Sequence, residues 1–310
     1  MKLWIIAIFI FLFACNLRLW NINEAGRWWD EQWYTEKGYV LVELAKKQDF
    51  SNPYWYTIAA DHPPLSNYFY GLASYGDLVR YDENATLLVP GNIKGAPIFQ
   101  YDLINTRLIS VFVSTLAVVL VFFIGVRYFS YFVGITAAMI LAMLPHFLGY
   151  SQFVVLESWI MLFFTACAFS YFLYLETNKR GFLILTGILT GLNLEIKQSN
   201  ILIFALFIGT YFFWKWMTKN NKISFLHLVW IAIIAFVTYV LVWPMPLLHL
   251  PEFTAYTYDL WFKDGGNVPE LLFGVHMGAR SFFLYYRFFC YDTTYHYASH
   301  LFRVWSFMGS

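Results

Sequence analysis

The chain has 310 residues, of which 60% are hydrophobic, 22% aromatic and only 13% charged. Soluble globular domains carry about 25% charged residues, so this composition excludes an ordinary soluble protein. The net charge of +1 gives no basis for nucleic-acid binding, and three widely separated cysteines define neither a disulfide framework nor a metal cluster.

The first predicted element is an apolar run over residues 3–17, between Lys2 and Arg18. A secretory signal peptide would begin in the same way. Bulky residues follow this run where a signal peptide would have a small-residue cleavage site. We therefore interpret the run as the first membrane span.

A long first loop, residues 20–102, follows this span. Asp30 and Glu31 lie near its start, and the mixture of aromatic, aliphatic and charged residues at 33–47 predicts an amphipathic helix in the membrane interface. The acidic pair has two interpretations. It is either a helix N-cap with an acidic first turn or part of a functional site.

A second polar stretch in this loop is Asp61-His62-Pro63-Pro64. Proline cannot continue a helix and restricts the residue before it, so the two prolines should hold Asp61 and His62 stiff. This is either a rigid loop turn with exposed polar residues or a polar pair that is held in position for binding.

Six further spans are predicted from long runs without charged residues, because about 20 apolar residues are needed to cross the hydrocarbon core and only helices can satisfy their backbone there. They lie at about 103–125, at two places within 128–175 with a turn at 145–152, and at 181–196, 199–216 and 225–245. Basic residues cluster in the short loops 125–130, 176–181 and 215–222. These loops should be cytoplasmic, which places the long first loop outside.

Three more charged residues lie at span ends on the predicted outer side. Glu157 has charge-free sequence on both sides, and an acidic residue in a span usually faces a polar cavity or marks a site. Glu195 and Lys197 are either an ion pair or the snorkelling ends of a span. We interpret Gly187 and Gly191 as helix-packing residues only.

In order and spacing, Asp30-Glu31, "DHPPL", "VVLESWIMLFF" and "LTGILTGLNLEIKQSN" together resemble the protein O-mannosyltransferases and their bacterial relatives, including the lipid A aminoarabinose transferases. The resemblance covers about residues 1–200. It implies an all-α polytopic membrane protein with a GT-C-type helical bundle and a large first extracytoplasmic loop that carries interfacial helices. This sequence departs from the family pattern in Glu157, where Asp is usual, and in Gln152-Phe153, where Arg-Tyr is common.

The resemblance also implies a function. Such enzymes transfer a sugar, mannose or a related one, from a polyprenyl or dolichyl phosphate to a protein or glycolipid acceptor outside the cytoplasm, in the plasma membrane or the endoplasmic reticulum. The lipid-linked sugar is the donor substrate, and no cofactor or metal is required. Asp30 corresponds to the general base and Glu31 to a residue that orients it or binds acceptor.

The remaining site residues would bind the donor. Asp61, His62, Glu157 and Lys197 are expected at the donor phosphate and sugar, with Pro63 and Pro64 supporting the loop, and Arg280 could add positive charge. Residues 1–245 would form the catalytic module of about seven spans. Residues 246–310 would be an extracytoplasmic tail before further spans, so the chain is a truncated gene, part of a longer chain or a short variant.

Two other functions are compatible with this sequence. A membrane transporter also has acidic residues within its spans and broken helices, but the long first loop and the lack of an inverted repeat do not favour it. A non-catalytic relative that binds a lipid-linked sugar is the second alternative.

Overall fold

The computed structural model describes residues 2–26, 28, 30–57, 62–82, 98–218, 224–258, 270–272 and 275–277. The helices are α1 Lys2–Leu19, α2 Glu31–Lys46, α3 Leu65–Asp77, α4 Ile104–Tyr128, α5 Tyr131–Met143, α6 Pro145–Tyr150, α7 Glu157–Thr177, α8 Arg180–Leu194, α9 Ile203–Thr218, α10 Leu226–Val242, α11 Met245–Leu248 and α12 Leu250–Tyr258. The strands are β1 Leu78–Asp82, β2 Ile98–Tyr101, β3 Glu270–Leu272 and β4 Val275–Met277. Short 3-10 helices lie at Pro53–Trp55 and Gln198–Leu202.

The predicted helical membrane fold is confirmed. Each predicted span corresponds to an apolar helix, and three stretches in the described part of the chain are long and apolar enough to cross a membrane: Ile104–Tyr128, Glu157–Thr177 and Gln198–Thr218. The apolar helices α1, α5, α8 and α10 are shorter. Two small antiparallel hairpins, β1 with β2 and β3 with β4, were not predicted.

The chain divides into two compact units, Met1–His249 and Leu250–Ser310. Within the described residues, the second unit contains α12 and the hairpin of β3 and β4. The first unit contains the apolar helices and all the described candidate site residues.

The first unit is organised around α4, which packs against α1, α3, α5 and α7. Helix α7 then packs against α8, and α8 packs against α10. The packing role of the two α8 glycines is confirmed. A Cβ atom on Gly187 would lie 2.6 Å from the Ile234 Cβ, and one on Gly191 would lie 2.6 Å from the Ala235 carbonyl oxygen. Any larger residue would therefore force α8 and α10 apart.

The two helices of the first loop, α2 and α3, lie directly against each other. A Cβ atom on Gly38 would lie 2.2 Å from the Asn67 carbonyl oxygen, and one on Gly71 would lie 2.1 Å from the Gly38 carbonyl oxygen. The backbones therefore touch at these glycines. The predicted helix at 33–47 is confirmed, and its Glu36 and Lys37 are buried.

The start of α4 is capped by a residue far away in sequence. The buried Asp77 carboxylate, at the end of α3, accepts hydrogen bonds from the backbone N–H groups of Asn105, at 2.6 Å, and of Thr106, at 2.7 Å. An anionic acceptor stabilises the unpaired N–H groups of a helix N-terminus. The first loop is therefore fixed to the bundle at the position where α4 begins.

Candidate active site

Asp30 lies at the N-cap position of α2 and is half-buried. Its backbone has φ −89° and ψ −10°, and its carbonyl oxygen accepts a hydrogen bond from the Tyr34 amide at 2.9 Å. Its carboxylate makes no capping hydrogen bond to the helix. Helix capping, the structural explanation that the sequence left open, therefore does not account for this carboxylate.

Glu31 is completely buried, and both of its carboxylate oxygens accept hydrogen bonds. Oε1 accepts from Arg107 Nε at 2.8 Å and from the Val154 amide at 2.9 Å. Oε2 accepts from Arg107 Nη2 at 2.7 Å and from the Trp28 amide at 2.8 Å. Direct contact between Glu31 and a substrate, one of its two predicted roles, does not fit this burial. The geometry suits the other role, in which Glu31 orients the neighbouring Asp30.

Arg107, in the first turn of α4, uses all five of its N–H groups. Two bind Glu31, and the other three donate to the carbonyl oxygens of Ile22 at 2.9 Å, Ala25 at 3.0 Å and Gly26 at 2.7 Å. The guanidinium thereby fixes the segment that leads from α1 to Asp30. The motifs that identify the candidate site residues do not include Arg107. An arginine in the first turn of an apolar span was itself the available signal.

His62 lies beside the first two turns of α2. Its ring is half-buried and makes edge contacts with Trp33, at 5.9 Å between ring centroids, and with Tyr34, at 5.7 Å. Pro63 and Pro64 are buried, and α3 begins directly after them. The structure therefore places His62 close to the helix whose first residue follows Asp30. Asp61 lies outside the described residues, as does Arg280.

The segment after the prolines contacts the bundle at two places. The Leu65 amide donates to the Glu195 carbonyl oxygen at 3.2 Å, and the Tyr70 hydroxyl donates to the Val155 carbonyl oxygen at 2.7 Å. Lys197, two residues after Glu195, is half-buried and is the N-cap residue of the 3-10 helix Gln198–Leu202. The start of α3, the start of α7 and the end of α8 thus meet in one region, together with the Glu31–Arg107 pair.

The environment of Glu195 contradicts both interpretations that the sequence offered, an ion pair with Lys197 and a snorkelling end of a span. Glu195 is completely buried, and neither carboxylate oxygen has a hydrogen-bond partner among the described residues. It is therefore neither part of an ion pair with Lys197 nor a snorkelling end. Its backbone carbonyl oxygen accepts the hydrogen bond from the Leu65 amide at the start of α3. Burial, and then the nearby Glu195 carboxylate, raise the pKa of the Tyr68 hydroxyl on α3.

Glu157 is exposed, in the first turn of α7. It lines a groove of about 350 Å³ between α6 and α7. The other lining residues are mostly apolar or aromatic: Leu144, His146, Phe147, Tyr150, Ile160, Met161 and Phe164. Glu157 therefore does not face a polar cavity, which was one of the two possibilities that its sequence left open. The groove lies next to the segment that carries Asp30, because Tyr150 packs against the ring of Trp28 at 5.8 Å.

Among the described residues, no group of three or more His, Cys, Asp or Glu side chains is arranged to hold a metal ion. The candidate site residues Asp30, His62 and Lys197 offer a carboxylate, an imidazole and an ammonium group. These groups can accept a proton and bind an anion.

Comparison with known proteins places these features in a family. The sequence profile of the dolichyl-phosphate-mannose-protein mannosyltransferase family matches residues 8–257. Among solved structures, the chain is similar to the S. cerevisiae protein O-mannosyltransferase Pmt1-Pmt2 complex bound to the sugar donor, with a TM-score of 0.48 and 18% sequence identity. That match covers 87% of this chain but 36% of the yeast chain. No curated protein sequence matches significantly.

The matched range includes Asp30, Glu31, His62, Glu157 and Lys197, and it covers the apolar helices from within α1 to α10. The family recognised from the ordered sequence motifs is therefore confirmed. The chain belongs to the dolichyl-phosphate-mannose-protein mannosyltransferase family.

Proposed function

We propose that this chain transfers mannose from a dolichyl or polyprenyl phosphate to a hydroxyl group of a protein or glycolipid acceptor. Family membership supports the reaction class. The observation that carries the site assignment is the Glu31–Arg107 pair, which fixes Asp30 at the start of α2 while His62 lies along the same helix. The chain spans only 36% of the yeast protein to which it is similar.

In this proposal, Asp30 is the general base. The leaving group is a phosphate, which departs as an anion without a strong general acid. Glycoside hydrolysis differs, since it expels an alkoxide and uses two carboxyl groups. One base for the acceptor hydroxyl and donors for the phosphate are therefore enough. Asp30 would accept the hydroxyl proton as the oxygen attacks the anomeric carbon and the bond from that carbon to the phosphate oxygen breaks.

The donor would be bound by residues from three segments. His62 would donate to the phosphate from a backbone stiffened by Pro63 and Pro64, with Asp61 next to it. Lys197 would add positive charge from the end of α8, near the start of α3. Glu157 would hold sugar hydroxyls at the mouth of the groove between α6 and α7. No cofactor enters this scheme, and the lipid-linked sugar is the substrate.

The reaction would take place on the extracytoplasmic or lumenal face. The basic loops support this orientation, because they follow the positive-inside rule when the N-terminus is cytoplasmic. The protein is integral to a membrane, and either the plasma membrane or the endoplasmic reticulum fits the proposed donor. Asp30, His62 and Lys197 would then all face the side opposite the basic loops.

A transfer assay on the purified chain in lipid nanodiscs tests this proposal. Dolichyl phosphate mannose, labelled in the sugar, is supplied with a Ser/Thr-containing peptide or with a glycolipid, and labelled acceptor and free dolichyl phosphate are both measured. Transfer to either acceptor supports the proposal. Donor binding without release of dolichyl phosphate would indicate the non-catalytic alternative. Movement of intact donor across a proteoliposome membrane would indicate a transporter.

A further inference from the structure

One face of α2 carries both Asp30 and the residues that contact His62. Trp33, Tyr34 and Lys37 follow Asp30 at intervals of three, four and seven residues, which places all of them on the same side of the helix. Trp33 and Tyr34 contact the His62 ring. Seven residues of helix span about 10 Å. The helix therefore sets a fixed spacing between Asp30 and the site where His62 is held.

Lys37 joins this face to the backbone of His62. Its ammonium donates to the His62 carbonyl oxygen at 3.2 Å and lies 4.5 Å from the centre of the Trp33 ring. The side chain is buried, with 1% of its surface exposed. This hydrogen bond bridges 25 residues of sequence, so it connects the middle of the first loop to α2.

A buried ammonium is an uncommon choice where only packing is needed. Removing a charged group from water is unfavourable, and an apolar side chain of similar volume often serves stability equally well or better. A cation beside an indole face and a carbonyl oxygen gains directional contacts that an apolar residue cannot make. This favours a role for Lys37 in fixing where the His62 backbone lies.

We propose that Lys37 is a positioning residue, which holds His62 at a set distance from Asp30 so that the imidazole meets the donor phosphate. This inference rests on the proposed function for its effect on catalysis. The backbone contact itself is independent of any activity. A rigid binding group loses less conformational freedom when the ligand binds, so loss of the contact should weaken donor binding more than turnover.

The first test measures hydrogen exchange in the resting protein, which needs no substrate. Lys37→Met keeps the length of the side chain and removes the ammonium. Lys47→Met, at the exposed end of the same helix, is the matched control. We expect the amides of His62 and of residues 65–67 to exchange about tenfold faster in Lys37→Met and at the wild-type rate in Lys47→Met. Unchanged exchange at these amides, or an equal increase throughout the bundle, would overturn the proposal.

The second test is the dependence of transfer on donor concentration. We expect Lys37→Met to raise the KM for dolichyl phosphate mannose about tenfold with a smaller change in kcat, and Lys37→Arg to restore most of the donor affinity because it keeps a cation with N–H donors. An unchanged KM in Lys37→Met, or no recovery in Lys37→Arg, would contradict the role. If Lys37→Met does not fold, Lys37→Leu, which also lacks an N–H donor, takes its place in both tests with the same expected results.

The two tests separate this inference from the proposed function. A wild-type protein without transfer activity would refute the proposed function, and the exchange of the His62 segment would still confirm or refute the contact. A wild-type protein with activity and a Lys37→Met variant with normal exchange and normal KM would refute only the inference.

Discussion

Replacing Arg107 tests whether the buried ion pair positions Asp30. The guanidinium contributes two hydrogen bonds to Glu31 and three to backbone carbonyl oxygens. Lysine keeps the positive charge, but it has one nitrogen with three N–H groups and cannot reproduce the planar fork. Arg107→Lys therefore removes at least two of these five hydrogen bonds without removing the charge.

The size of the effect follows from the number of bonds lost. Each hydrogen bond that involves a charged group contributes about 1.5–3 kcal/mol, so Arg107→Lys should lower the free energy of unfolding by roughly 3 kcal/mol. Arg107→Met leaves the Glu31 carboxylate buried without its cation, and breaking a buried pair in this way costs about 3–5 kcal/mol. Glu31→Gln combined with Arg107→Met should cost less than the sum of the two single changes.

Stability and transfer should be measured together in the same lipid nanodiscs. A displacement of about 1 Å in a reacting group can reduce the rate roughly a hundredfold, so Arg107→Lys should lose most of its kcat even at temperatures where it remains folded. Arg127→Lys is the matched control, because Arg127 forms an exposed ion pair with Glu176 and such pairs contribute little. Wild-type melting temperature and wild-type kcat in Arg107→Lys would refute the positioning role of the pair.

Three further changes test the fold, the buried acid on α2 and the topology. Gly38→Ala should destabilise the protein by about 3 kcal/mol or more because the helix backbones touch there, whereas Gly209→Ala, with open space around it, should leave the melting temperature unchanged or slightly higher. Burial raises the pKa of Glu36 from 4.5 to about 7. The folded state therefore binds more protons than the unfolded state between these two pH values. The free energy of unfolding should fall by roughly 3 kcal/mol as the pH rises from about 4.5 to about 7. In thermal melts at several pH values, Glu36→Gln should make the free energy of unfolding depend less on pH. A cysteine placed at Ser51 should react with an impermeant maleimide in intact cells and one at Asn178 should not, as the positive-inside rule predicts; the reverse pattern would overturn the orientation.

The positions of the apolar helices could be predicted because their signal is local. A run such as 108–126 has no charged residue, and a span of that length must be helical in lipid. The ordered motifs also identified the family, although none of them is specific alone. Bounds differed by a few residues, as at α5, which ends at Met143 because Leu144 precedes a proline and takes an extended conformation.

The partners of the charged residues could not be predicted, because they depend on contacts between distant segments. Glu31 is paired with Arg107 across 76 residues, and sequence spacing carries no information about that contact. The burial of Lys37 could not be predicted either, because its ammonium contacts the His62 carbonyl oxygen, 25 residues further along the chain. The sequence left open whether Glu157 faces a polar cavity or marks a site, and the mostly apolar groove that it lines depends on how α6 packs against α7.

Single-turnover transfer by Asp30→Asn tests the central claim most directly. The purified variant is loaded with dolichyl phosphate mannose and mixed with acceptor, and Glu24→Gln, an exposed change in the same connecting segment, is the control. Loss of a general base reduces the rate by about a hundredfold to ten-thousandfold, so we predict a loss of this size in Asp30→Asn with wild-type donor binding and a wild-type melting temperature. Transfer by Asp30→Asn at the rate of Glu24→Gln and the wild type would contradict the assignment of Asp30 as the base.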